Sequence, residues 1–251
     1  MKIKKILTLP RNTLNVVSKN LLLTTIVLTF CVYSQAWAEA DNQLWTAITT
    51  TGTFYSEEKP TKFRYYLEAQ PRLGDSWQSW ERLVLRGSLG YRVGEKLTLW
   101  SGYGYTPGLL NSKNDYQYTP ESRLWEMATY DQQIGKYALN HRGIVEQRWI
   151  DSAQGTAHRA RYRAKISRPL YTHENQITFG VTAFDEIMYN LNSVDNGPSS
   201  GYDRNRIFVG PYWTKNAWRV DAGYLYEASE RPSKADREIH ALALIISFNL
   251  N

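Results

Sequence analysis

Cysteine is all but absent from this chain, with Cys31 the single one in 251 residues. That excludes a disulfide framework and a cysteine-ligated metal centre. Histidine is scarce too. His141, His158, His173 and His240 are the whole supply, and no two stand two or four residues apart, the spacings that put two imidazoles on one face. The composition therefore implies no metal and no cofactor. Beyond residue 38, no segment carries the long 3.6-period apolar stripe of an amphipathic helix.

The N-terminus is of a different kind from the rest. Lys2, Lys4, Lys5, Arg11 and Lys19 precede an apolar run from Leu21 to Val32, which Ala36-Trp37-Ala38 follows. A basic region, a short apolar region and an A-x-A site make a secretory signal peptide. The apolar run falls short of the roughly 17–25 residues that span a bilayer as a helix. Leu28-Thr29-Phe30-Cys31 departs from a lipoprotein box in bulky Phe30, where a small residue is needed. The expectation is a leader over 1–38 cleaved after Ala38, with Ala40 as the fallback, and one domain over 39–251. The leader holds five of the 30 basic residues and none of the 24 acidic ones. The remainder is nearly neutral, so the isoelectric point near 9.2 belongs mostly to the leader and no nucleic-acid partner is implied. Cys31 leaves with it. A cysteine-free protein outside the cytoplasm needs a large, closed hydrogen-bonded structure. Nine Trp and 18 Tyr would suit a carbohydrate-binding surface, and equally the aromatic girdles of a membrane barrel.

The stretch His158 to Arg168 shows what that structure is. Arg159, Arg161, Arg163 and Lys165 alternate with Ala160, Tyr162, Ala164 and Ile166, which is the period of a β-strand. Four successive cations on one face suit a wet interior containing carboxylates, and the small and aromatic face suits lipid. The pattern recurs. Phe63, Tyr65 and Leu67 oppose Arg64, Tyr66 and Glu68, while Leu83, Leu85 and Leu89 oppose Arg82, Arg86 and Ser88. At the C-terminal end, His240, Leu242, Leu244, Ile246, Phe248 and Leu250 share one face. Eleven candidate strands emerge, from Leu44–Tyr55 to Glu238–Asn249, and the fold class is all-β, a single antiparallel transmembrane barrel. Long connections near 107–122, 192–202 and 229–237 alternate with short ones near 93–96, 171–175 and 214–216. Followed backwards, this alternation starts Leu44–Tyr55 outside the cell, whereas single-chain bacterial barrels have an even strand number. Twelve strands are expected, with 10 as the alternative.

The inward face collects Arg64, Glu68, Arg82, Arg86, Arg142, Glu146, Arg148, Arg159, Arg161, Arg163, Lys165, Glu186, Arg204 and Arg206, with Arg72, Arg92, Arg219, Asp221 and Glu227 in the same class. Rings of Arg line anion pores, but this many long side chains in a narrow lumen favours a packed, plugged interior. Enzymatic readings are weaker. Asn140-His141 with Ser152 lacks diagnostic spacing, so no catalytic residue is assigned, and a barrel-embedded lipid hydrolase stands as the alternative. Phe184-Asp185-Glu186 is read first as a partner for interior arginines. Asp195-Asn196-Gly197 is read as a turn before a Ca²⁺ loop.

Several of these segments together resemble a bacterial family of uncharacterised domains: His141-Arg142 with Glu146-Gln147-Arg148, Arg159-Ala160-Arg161-Tyr162-Arg163, Phe184-Asp185-Glu186 with Asn190, Asp203-Arg204-Asn205-Arg206, and Gly223-Tyr224. The chain departs from that pattern at Ala160 and Ala164, where larger aliphatics are usual, and in ending Phe248-Asn249-Leu250-Asn251. The resemblance implies an outer-membrane β-barrel and names no substrate. That location brings the expected partners, outer-membrane lipid, lipopolysaccharide and the barrel-assembly machinery, and the residues themselves point to a non-enzymatic role, with a small channel as its most specific form.

Overall fold

The computed structural model describes residues 39–74, 76–108, 119–173, 177–230 and 236–250; the leader and its cleavage site lie outside them. The regular structure among the described residues is all strand. The elements are β1 (Glu39–Ser56), β2 (Lys59–Gly74), β3 (Ser79–Arg92), β4 (Leu97–Thr106), β5 (Glu121–Ile134), β6 (Tyr137–Ile150), β7 (Ala157–Thr172), β8 (Ile177–Asn190), β9 (Gly201–Lys215), β10 (Trp218–Ser229) and β11 (Arg237–Leu250). Consecutive strands pair antiparallel, and the sheet closes on itself where β11 meets β1. That last pair is parallel, running in register from Glu39↔Arg237 to Gly52↔Leu250.

The parallel seam corrects the strand count to 11. An even number is required only when the first and last strands close antiparallel. A parallel closure admits an odd number, and it makes β1 begin at the same end of the barrel as β11. The alternation of connections between the two ends therefore holds to the first strand. The strand ends joined across 57–58, 93–96, 135–136, 173–176 and 216–217 gather at one end, here the turn end. The strand ends joined across 75–78, 107–120, 151–156, 191–200 and 230–236 gather at the other, the loop end. Gly135 (φ 56°) and Asn216 (φ 52°) supply the left-handed backbone that two of the tight turns need.

Period-2 alternation gives the wall two unlike faces. Outward, the middle of the barrel shows Leu67, Leu89, Leu99, Val145, Val209 and Leu242, with Leu89 65% exposed. Toward the turn end stand exposed Phe63, Tyr91, Tyr130, Tyr171 and Trp218, and toward the loop end Trp80, Tyr105, Trp149, Tyr189 and Tyr202. Polar groups on this face pair locally: Asn205 donates to Asp185 at 2.5 Å, His141 bonds the Tyr162 hydroxyl at 2.7 Å, and His240 bonds that of Tyr224.

Inward, two apolar clusters sit on different arcs of the wall. One comprises Trp45, Phe208, Leu225, Ile239, Ala241 and Ala243 beside the seam. The other comprises Trp100, Trp125, Met127 and Ile144 on β4–β6. The second depends on glycine. A Cβ on Gly90 would fall 2.4 Å from the Trp100 ring, and one on Gly102 would fall 2.5 Å from Trp125, from Ser88 Cβ and from the Gly87 carbonyl oxygen. The tryptophans lie flat over strand backbone because these positions have no side chain. Gly102→Val is thus expected to lower stability by about 1–3 kcal/mol, read as the denaturant midpoint of tryptophan fluorescence. An unchanged midpoint would mean that Trp125 does not pack there.

Candidate functional site: the charged lumen

The β7 ladder organises the interior. Residues two apart on a strand lie roughly 6.6–6.8 Å apart, which leaves room for a carboxylate between successive cations. The register supplies them: Glu146 on β6 stands opposite Arg159, and Glu186 on β8 stands opposite Arg163. Arg161, between these levels, reaches both. Its Nη1 donates to Glu146 at 2.8 Å and its Nη2 to Glu186 at 2.9 Å. Glu146, 1% exposed, also accepts two bonds from Arg159, at 2.8 and 2.6 Å. Arg86 and Arg123 lie within 3.7 and 3.9 Å of it. Glu186 takes Arg142 at 2.7 Å and faces Arg206 at 3.6 Å. These contacts reach beyond neighbouring strands, from β6 to β3 and to β8, so they tie the wall across the lumen.

Further groups extend the network in both directions. Toward the loop end, Asp203 accepts from Arg159 at 2.9 Å and from Arg204 at 3.2 Å. Glu227 holds Arg204 at 2.9 Å together with Arg206. Glu121 accepts from Arg123 at 2.7 and 2.8 Å and from Arg148 at 2.5 Å. Elsewhere, Asp221 holds Arg219 at 2.7 Å and Lys165 at 3.4 Å, and Glu68 accepts from the Tyr66 hydroxyl at 2.7 Å and from Arg86 at 3.4 Å.

All 14 residues expected on the inward face line the lumen's cavities. The expectation for Phe184-Asp185-Glu186 divides: Glu186 joins the arginines, while Asp185 faces outward to Asn205. Two carboxylates that strict alternation does not bring inward are there because of register shifts. Between Met188 and Tyr189 the β8–β9 pairing slips, so Asp203 is an extra residue and sits inside beside Arg204. Between Arg72 and Leu73 the β2–β3 pairing does the same for Glu81, which takes Arg237 at 3.1 Å. Such bulges place consecutive side chains on one face. Glu121 starts two residues before the apolar alternation of β5 is legible, and its contacts to Arg123 and Arg148 reveal it. Among the described residues no three His, Cys, Asp or Glu cluster as a metal site. Asn196 has φ 56° in a turn.

Chambers remain between the side chains, among them one toward each end of the lumen and a smaller one of about 100 Å³ that shares lining residues with both. One of about 320 Å³ toward the turn end is lined by Arg64, Arg86, Arg142 and Arg163, by Glu68 and Asp131, and by Trp100, Trp125 and Phe184. Another, of about 210 Å³, lies toward the loop end and is lined chiefly by arginine. Arg86 borders both of these.

A family model described as a protein of unknown function (DUF2490) matches residues 42–238, which takes in the ladder, its carboxylates and the seam strand β1. The chain belongs to this family. It is also similar to an uncharacterised protein of Methylorubrum extorquens, 26% identical over 212 residues, or 81% of this chain and 86% of that protein.

Removing one partner of a buried pair strands the other charge, at a cost of about 3–5 kcal/mol. Glu146→Ala and Glu186→Ala are therefore expected to lower the unfolding midpoint by that order, with exposed Glu95→Ala as the neutral control. Three coincident unfolding curves would show that the ion pairs carry no structural load.

Proposed function

We propose that this protein is an outer-membrane β-barrel without enzymatic activity, whose basic lumen is largely plugged. The observation that carries the reading is the exterior. A closed barrel that presents large apolar side chains all round its middle, with aromatic residues toward both ends, exposes far more contiguous apolar surface than water tolerates. Lipid is the solvent that suits it. Strands of 10 to 18 residues reach or exceed the roughly 9–11 that a tilted crossing needs. The leader expected in the sequence supports export, and the placing of short turns at one end supports a periplasmic turn end. The plug is supported by the carboxylate–arginine bridges that cross the lumen and narrow it to small chambers.

The native protein is expected in the outer-membrane fraction of a density gradient, and the refolded protein is expected to give no steady conductance in a planar bilayer. Recovery in the soluble periplasmic fraction would overturn the location, and a steady open current would overturn the plug. The lipid face has its own test. Leu244→Arg points outward near the middle of β11, where Arg costs about 2–4 kcal/mol against lipid. Ile245→Arg points into the larger chamber. Membrane assembly is expected to fail for the first and to survive in the second; equal yields would remove the face assignment.

A further inference from the structure

The loop-end chamber has a lining unlike any other part of the lumen. Nine arginines border it, and Glu121 is the one carboxylate among its lining residues. Most of these arginines give their donors to the carboxylates behind them. Arg72 gives none to a carboxylate, and Arg148 gives one of its three nitrogens. Arg72 is 7% exposed, yet no carboxylate among the described residues lies within ion-pair distance. Its Nε and Nη2 go to the neutral Gln70 amide oxygen at 3.1 and 2.5 Å, and its guanidinium lies on the Trp45 ring at 3.6 Å. Arg206 approaches the same ring at 5.0 Å, so two like charges share one aromatic platform. Arg148 commits only Nε, to Glu121, which leaves both terminal amino groups for the chamber it lines.

A buried cation without a counter-charge is costly; Arg72 has none within ion-pair distance among the described residues, Arg148 shares Glu121 with Arg123, and both line this one chamber. The cavity of about 210 Å³ is well above the roughly 10–15 Å³ that a single water requires. Planar guanidinium groups match tetrahedral oxyanions through paired N–H donors, an advantage that a monatomic anion cannot use. The turn-end chamber lacks this bias, because Glu68, Glu146 and Asp131 stand among its cations and aromatic rings fill part of its wall.

We propose that the loop-end chamber is a binding site for a compact, multiply charged oxyanion of the phosphate class, held chiefly by Arg72 and Arg148. The site stands on the lumen's geometry and holds whether or not the outer face meets lipid. Such a group comes either as free phosphate or as the phosphate of a lipid headgroup, and the experiment separates the two.

The full-length refolded protein in a neutral detergent would be titrated with inorganic phosphate at constant ionic strength, using chloride as the reference and thermal unfolding and phosphorus NMR line width as readouts. A second arm replaces free phosphate with mixed micelles containing phosphatidate. Saturable stabilisation by phosphate over chloride is expected, weakened at least tenfold in apparent affinity by Arg148→Gln and by Arg72→Gln. Arg168→Gln, an exposed residue that removes the same charge, is expected to leave the affinity unchanged. Should Arg72→Gln fail to fold, Arg148→Gln alone decides. Saturation only in the phosphatidate arm, lost in Arg148→Gln, supports the site and names a lipid headgroup as its source. Equal responses to phosphate and chloride with no phosphatidate binding, or binding that survives Arg148→Gln, would overturn it.

Discussion

Arg161 held between Glu146 and Glu186 is the interaction on which the interior depends. Charges packed this closely inside a narrow lumen have little water to solvate them, so each inward cation must find an acceptor within reach or lie on a surface that tolerates it. The β7 ladder creates the demand, with four cations on alternate positions. The neighbouring strands meet it at the levels where register puts Glu146 and Glu186. Arg163 even stands directly opposite Arg142, an arrangement that would repel were Glu186 not bonded to the latter. Strand register and charge pairing are thus one constraint: a slip by a single residue would turn every ladder arginine outward and both glutamates away from them.

This coupling also explains what could be read from the residues alone. The alternation in Arg159–Ile166 and Lys62–Arg72 declares its two faces, because within these stretches cations and apolar groups do not share a side. Inward placement of the arginines followed from that alone. Which carboxylate meets which arginine did not follow, since partners sit on different strands and the pairing is a matter of register. Asp203 and Glu81 were hidden for a sharper reason. Each lies at a bulge, where the period of 2 that makes a strand legible is interrupted. The strand number was obscured by the seam: eleven segments were visible, but a parallel closing pair leaves no local mark in composition.

The seam shapes what its neighbours can do. Past Arg237, the inward positions on β11 are Ile239, Ala241, Ala243, Ile245, Ser247 and Asn249, and none of them carries charge. Side-chain links across the seam are few, among them Thr49 to Ser247 at 2.9 Å and Arg237 to Asp41 at 2.6 Å. The small alanines leave room beside Trp45, which is buried and fixed by its Nε1–H bond to Gln43 at 2.5 Å. Arg72 on β2 and Arg206 on β9 reach this ring from opposite sides of the seam. Cation–π contact of this kind contributes roughly 0.5–2 kcal/mol, less than the penalty for a buried, unpaired charge. Arg206 makes up the difference with Glu227 and Glu186, while Arg72 has only Gln70 and the ring. The charge imbalance therefore sits where the seam meets the loop end. It follows from the closure itself, because an apolar strip along β11 cannot supply the carboxylate that its neighbours lack.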